Sequence, residues 1–459
     1  MTDSFVAKNF IKSTYIFIVV LFLVKAVFSN IIYDTYTIDR ILVTMYMSIF
    51  IAYTVITVKE PMVNNIFKNP FFYFGLYCIA QAFVSPYIKG NFEEHQQILI
   101  GSLIVLFIYF TNLSISSYFR EKDFAALVLF SSALIALLLS LDSIYFTIAS
   151  TKNYTMYQSI IKYFKNIRVL NHLQIFIIPI LFIFFVTGKK NIKILASILT
   201  IFNGYLIAYT GARGLFITLL IVSAVFYGTV SNKTIKKNFH IFSTMIIAGM
   251  FLCFLQIIIM HNNIGNVYNF VNHTTSGRME IYKTILPYII NIKYFLPAIG
   301  FSSQDIAVTH LLHPHNLFLY VFLGAGTLGM IYFLFIAVST LVILGREYLS
   351  TQSWSTKIMY LNILSFFIYS MVSGVYITPL TYFYVALNIL SIAEKNKVRF
   401  SSMHYIVAKF VSIVTILISL FFLLSAISDS QRYNEINRTS HKTTIYHIGV
   451  ILSPDSIYN

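Results

Sequence analysis

Runs of about 20 apolar residues, the length a helix needs to cross the hydrocarbon core of a bilayer, recur along almost the whole chain. Inside such a core every backbone N–H and C=O must find a partner within the protein, which leaves only helices or a closed barrel. The runs are continuous rather than alternating, so helices are expected. Candidate spans fall at 13–32, 41–58, 71–87, 97–115, 124–148, 169–187, 192–210, 214–230, 240–260, 317–344, 357–376, 378–393 and 405–427. The expected fold is therefore all-α, a polytopic membrane helix bundle of about 12–13 transmembrane helices with one long, partly helical loop. Its parts are residues 1–260 with about nine spans, the loop 261–316, residues 317–427 with three to four more, and a short polar tail at 428–459.

Composition excludes the main alternatives. With 58% hydrophobic and only 10% charged residues, the chain is too apolar for an ordinary soluble domain. The formal charge of +16 comes from 32 Lys and Arg scattered through short links between apolar runs. Because they form no dense basic face, they fit the headgroups of membrane lipids and not a nucleic acid. Cys78 and Cys253 both sit inside apolar runs and offer neither a disulfide framework nor a metal site. The stretch from Thr14 to Phe28 resembles a signal peptide, but Lys25 interrupts it and no small-residue cleavage site follows, so it is read as an uncleaved first helix.

The cations also orient the bundle. With the N-terminus inside, the inner links carry Lys59 and Lys68, Arg120 and Lys122, Lys189, Lys190 and Lys193, Lys233, Lys236 and Lys237, Arg346 and Lys357, then Lys395, Lys397 and Arg399. Every inner link then obeys the positive-inside rule. One outer link resists, with Lys152, Lys162, Lys165 and Arg168 in a stretch where Tyr157, Ile160, Ile161 and Phe164 have the spacing of an interfacial helix. A helix lying on the outer surface is the plain reading there, and phosphate binding the functional one. The loop 261–316 also faces outward, and its apolar spacing from Glu280 to Phe295 predicts an ordered cap.

Carboxylates are scarce on that side. The loop holds only Glu280 and Asp305, too few for a divalent-metal cage or a paired-carboxylate glycosidase. What it offers instead is cationic. Arg213, in "YTGARGLF", lies in a tight turn between Gly211 and Gly214, glycines that would admit a large ligand. A guanidinium at a membrane boundary is costly unless it snorkels or meets an anion; otherwise it simply ends a helix. Arg278, in "TTSGRMEIYKTI", opens a helix with Thr275 and Ser276 as N-cap candidates, a start able to receive phosphate. His313, His315 and Asn316 stand at the mouth of the 317–344 span, where an imidazole either accepts a proton near neutral pH or merely marks the interface. Pro314 extends His313 and sets the helix start. Gly324, Gly326 and Gly329 would let a neighbouring helix approach.

"HNLFLYVFLGAGTLG", His315 to Gly329, resembles the signature of bacterial O-antigen ligases, in which His-Asn/Ser/Gln is followed after nine residues by Gly-x-x-Gly/Thr/Tyr. "GARG" at 211–214 and "SGRMEIY" at 276–282 are similar to two further patches of that superfamily, in the same order, with Tyr282 where relatives often carry Trp. The resemblance covers about residues 200–345 and implies a multi-pass enzyme of the bacterial inner (cytoplasmic) membrane whose long loop and active site face the periplasm. Such enzymes move a glycan from undecaprenyl diphosphate to a sugar hydroxyl of lipid A–core, with no metal and no other cofactor. Carried over, His315 would be the general base, and Arg213 and Arg278 would hold the diphosphate. His313, Asn316, Gly211, Gly214, Ser276, Gly326 and Gly329 would support them.

A polysaccharide polymerase using the same lipid-linked donor, with a second lipid-linked glycan as acceptor, is the near alternative. A protein O-oligosaccharyltransferase would be expected to carry a further periplasmic domain beyond the short tail. A lipid-linked glycan flippase is more distant, since transporters favour internal repeats and ionisable groups near the midplane. Only Lys25 and Asp142 qualify for that role.

Overall fold

A computed structural model describes residues 2–28, 39, 42–43, 45–46, 49, 73–74, 77–78, 80–81, 121–148, 156–164, 166–260, 278–296, 315–351 and 353–392. The expected spans at 97–115 and 405–427 and the tail 428–459 lie outside the described residues, as do most of those at 41–58 and 71–87. Among the described residues the architecture is entirely helical: α1 (Thr2–Phe28), α2 (Glu121–Ile148), α3 (Met156–Phe164), α4 (Ile167–Thr187), α5 (Lys190–Tyr209), α6 (Arg213–Thr229), α7 (Lys233–Met260), α8 (Arg278–Ile289), α9 (Leu317–Ser350), α10 (Trp354–Ser370) and α11 (Pro379–Ile392). Five stretches are long and apolar enough to cross a membrane, namely Lys122–Tyr145, Ile167–Thr187, Lys190–Tyr209, Lys233–Gln256 and Leu317–Ser350. The chain is a helical membrane protein.

From Ile175 to Val186 helix α4 is apolar on every side, and a helix of that pattern belongs inside a bundle. Ile175, Phe176, Ile177, Ile180, Leu181 and Phe182 are all enclosed. Around it the outer helices turn apolar side chains outward, among them Ile198 of α5, Leu220 of α6, Phe251 of α7 and Phe335 of α9, as a lipid-facing surface requires. Lipid tails remove the hydrophobic drive between helices, so close packing and interhelical hydrogen bonds must hold the bundle together. Glycines allow the first. A Cβ at Gly204 would collide with the Ile246 carbonyl oxygen, and one at Gly249 with that of Ile201, so α5 and α7 lie backbone against backbone. Polar pairs supply the second: Thr210 donates to Asn171 Oδ1 at 2.8 Å, the Gln174 amide donates to Asn203 Oδ1 at 3.1 Å, and Asn388 donates to the Met359 carbonyl at 2.7 Å.

The bundle has two chemically distinct ends. At one, Phe182 meets Phe226, Phe239, Phe242 and Trp354, and Thr229 bonds to the Tyr348 hydroxyl. The links there carry Lys189, Lys190, Lys193, Lys233, Lys236, Lys237, Arg346 and Lys357, making this the lysine-rich end. At the other lie the starts of α4, α6 and α9 and the finishes of α5 and α10. We call this the histidine end.

Two expectations are corrected at the histidine end. The 317–344 run is not one straight span, because Gly326 adopts φ 70° and ψ −178° and breaks α9 in two. At 1.5 Å per residue, 327–350 alone is about 36 Å long and needs no help to cross a bilayer. Residues 317–325 form a separate short arm that packs on α8, with Ile281, Ile285, Tyr294, Leu319, Phe322 and Leu323 making a second small core. The break is filled from the loop: Thr327 donates to the Ile289 carbonyl at 2.8 Å and the Leu328 N–H to the Phe295 carbonyl at 2.9 Å. The second correction concerns α3. It exists as expected, but Ile160, Tyr163 and Phe164 are buried against the bundle, so those side chains pack on protein and not on lipid.

Candidate functional site

The turn that delivers Arg213 is set by backbone chemistry. Gly211 takes φ 61°, its N–H bonds to the Ala208 carbonyl at 3.1 Å, and the Ala212 N–H reaches the Ile207 carbonyl at 3.1 Å. These two bonds are a Schellman stop for α5, which needs a left-handed residue at that point. Arg213 is then the first residue of α6 and half-buried. Gly214 faces α10, where a Cβ would meet the Tyr369 ring at 3.1 Å and the Val372 methyl at 3.3 Å. Gly211 thus serves the turn through its backbone conformation, and Gly214 lets α6 pack closely on the end of α10.

His315 and Asn316 sit on the start of α9. The Asn316 carboxamide oxygen accepts from the Phe318 N–H at 3.0 Å and the Leu319 N–H at 3.2 Å, so Asn316 caps the helix. Its amide nitrogen donates to the Met371 carbonyl at 3.3 Å. His315 precedes it at φ 52°, the only non-glycine residue with positive φ among those described, and is half-buried. A residue with a Cβ stays in that region only when its surroundings hold it there.

Helix α8 begins at Arg278, whose side chain lies outside the described residues, as do Ser276, Thr275 and His313. One turn later the Tyr282 hydroxyl donates to the same Met371 carbonyl at 3.3 Å. Gly326 is the break in α9, and Gly329 packs beneath it against Tyr77, whose ring a Cβ would approach to 2.9 Å. Tyr77 donates to the Ala325 carbonyl at 2.9 Å, tying the break to another segment. These glycines shape the short arm that carries His315.

Segment 371–378, between α10 and α11, is where these pieces meet. It touches Gly214 through Val372, Asn316 and Tyr282 through Met371, and the arm through Tyr376, whose ring lies 5.0 Å from that of Tyr320. Ser373, Val375, Tyr376 and Thr378 are all buried, unusual for a connection between two helices. The starts of α6 and α9 and the first turns of α8 are therefore gathered at one end of the bundle around one segment, open at Val372 and buried from Ser373 to Tyr376.

One member of this cluster was not expected. His172, in the second turn of α4, is buried, with Nδ1 2.7 Å from Thr378 Oγ1 and Nε2 2.9 Å from Ser373 Oγ. Arg168 and His315 both lie within electrostatic reach of it. The signal was in the string "NHLQ" at 171–174, three polar side chains inside an otherwise apolar run. The two ionisable groups expected near the midplane are each neutralised: Lys25 pairs with Asp39 at 2.6 Å and Asp142 with Lys162 at 2.9 Å.

The His315 position and two helix starts, each opened by an arginine, lie toward one end of the bundle, a set of groups that suits an anionic ligand. Comparison with protein-family models, with curated proteins and with solved structures finds no match to this chain.

Proposed function

We propose that this chain is a membrane-embedded glycosyltransferase of the O-antigen ligase kind, moving a glycan from undecaprenyl diphosphate to a sugar hydroxyl of lipid A–core at the periplasmic face of the inner membrane. The observation that carries this reading is that Gly214, Asn316 and Tyr282, the near neighbours of Arg213, His315 and Arg278 along the chain, all meet Met371 or Val372. In the reaction, His315 takes the proton of the acceptor hydroxyl as that oxygen bonds to the anomeric carbon. The bond from that carbon to the diphosphate breaks, and its electron pair leaves with undecaprenyl diphosphate. Charge grows on the leaving group in the transition state, so fixed guanidiniums at 213 and 278 lower the barrier more than they tighten binding. The lysine-rich end, opposite the histidines, supports the outward orientation.

Transport is less well supported, since Lys25 and Asp142 are already paired. The deciding experiment supplies purified protein in detergent with undecaprenyl-diphosphate glycan and lipid A–core. Core-linked glycan is the expected product. Longer lipid-linked glycan would move the assignment to the polymerase, and the absence of any covalent change would end the transferase reading.

A further inference from the structure

We propose that His172 is a positioning residue for His315, acting through segment 371–378; this rests on the transferase reading above. An imidazole deep in an apolar bundle is costly unless both ring nitrogens are satisfied. Here both are, by Ser373 and Thr378. A neutral ring offers one donor and one acceptor, and a hydroxyl serves as either, so the ring is fixed in plane whichever nitrogen carries the proton. The edge of the Tyr369 ring, with centroids 5.7 Å apart, closes a third side.

The two hydroxyls lie five residues apart on the buried segment, so His172 staples it to the central helix α4 at both points. Just ahead of Ser373, the Met371 carbonyl accepts from Asn316 and from Tyr282. Asn316 is the cap of α9 and the neighbour of His315, whose left-handed backbone needs outside restraint. The route runs from α4 through His172 to 373 and 378, back to 371, then to Asn316 and His315. If space-filling were its only task, a leucine would serve without the desolvation cost.

The test keeps His172 and changes its partners in the full-length protein: Ser373→Ala, Thr378→Val and the pair together, with Ser373→Thr as the variant that retains the hydroxyl. Misplacing a reacting group by about an ångström costs on the order of a hundredfold, so the paired variant is expected to lose between about tenfold and a hundredfold in kcat with donor KM nearly unchanged. Ser373→Thr should restore most of the loss. A second readout is independent of turnover: with histidines labelled at Cε1, the His315 resonance, identified by its disappearance in His315→Gln, should shift in Ser373→Ala and stay in place in Ser197→Ala. If that resonance and kcat per folded molecule are both unchanged, His172 is purely structural and the proposal is overturned. Should the wild type transfer no glycan, the functional reading fails, while the resonance still decides whether His172 positions His315. Should the paired variant not fold, Ser373→Ala alone carries both measurements.

Discussion

At the scale of single residues, the proposed reaction divides its chemistry between a proton acceptor and phosphate holders, and each role predicts a different signature when altered. General-base catalysis contributes about a hundredfold to ten-thousandfold, so His315→Ala should lose activity in that range while the protein still reaches the membrane; full turnover would remove His315 from the role. Arg278→Lys keeps the charge but not the planar fork that, in the proposed role, would grip two phosphate oxygens. A drop in kcat larger than the rise in donor KM is expected there, measured by steady-state transfer assays, and equal activity would make Arg278 structural. His315 and both arginines stand out in the sequence because polar residues are rare among apolar runs, and their roles as base and phosphate holders belong to the proposal. His172 does not stand out, because a histidine inside a span reads as burial until its partners, some 200 positions later, are brought beside it.

At the scale of elements, hydropathy locates helices well and their breaks poorly. The span from 317 was legible as an apolar run, yet nothing in its hydropathy marks Gly326 as a break, because the residues on both sides are equally apolar. The break depends on Ile289 and Phe295 docking from the loop, which is tertiary information. The conformation of Gly326 is essentially reserved for glycine, and forcing a Cβ into it costs about 1–3 kcal/mol. Gly326→Ala should therefore straighten α9, displace the arm that carries His315, and lower both thermal stability and transfer; a variant with native melting and activity would refute the broken helix. The α5–α7 pair offers a sign test. Ala is favoured over Gly in a helix by about 1 kcal/mol, but overpacking costs about 1–3 kcal/mol. Since the Cβ of Gly249→Ala would strike the Ile201 backbone, that variant should melt lower than wild type, whereas Gly228→Ala, with open space around it, should not.

At the scale of the whole molecule, everything functional depends on which end faces outward. The bundle separates its cations unequally: eight Lys and Arg crowd the links at one end without a carboxylate pairing among the described residues, while the histidine end neutralises Lys25 and Lys162 with aspartates and holds Arg213 at the start of α6. Cytoplasmic retention of positive links favours the first end inside, and the proposed transfer needs that orientation, with His315 on the side of the lipid-linked donor and the lipid A–core acceptor. Topology can be read without any activity assay. With Cys78 and Cys253 replaced by Ser, a single cysteine is introduced by Asn291→Cys at the exposed 3-10 turn beyond α8, or by Lys237→Cys near the start of α7. A membrane-impermeant maleimide added to intact spheroplasts should label the first and reach the second only after the membrane is opened. The opposite pattern would turn the bundle over and set His315 on the cytoplasmic side. There a polyprenyl-diphosphate glycan awaiting export would replace the periplasmic donor, and the ligase reaction would have no acceptor.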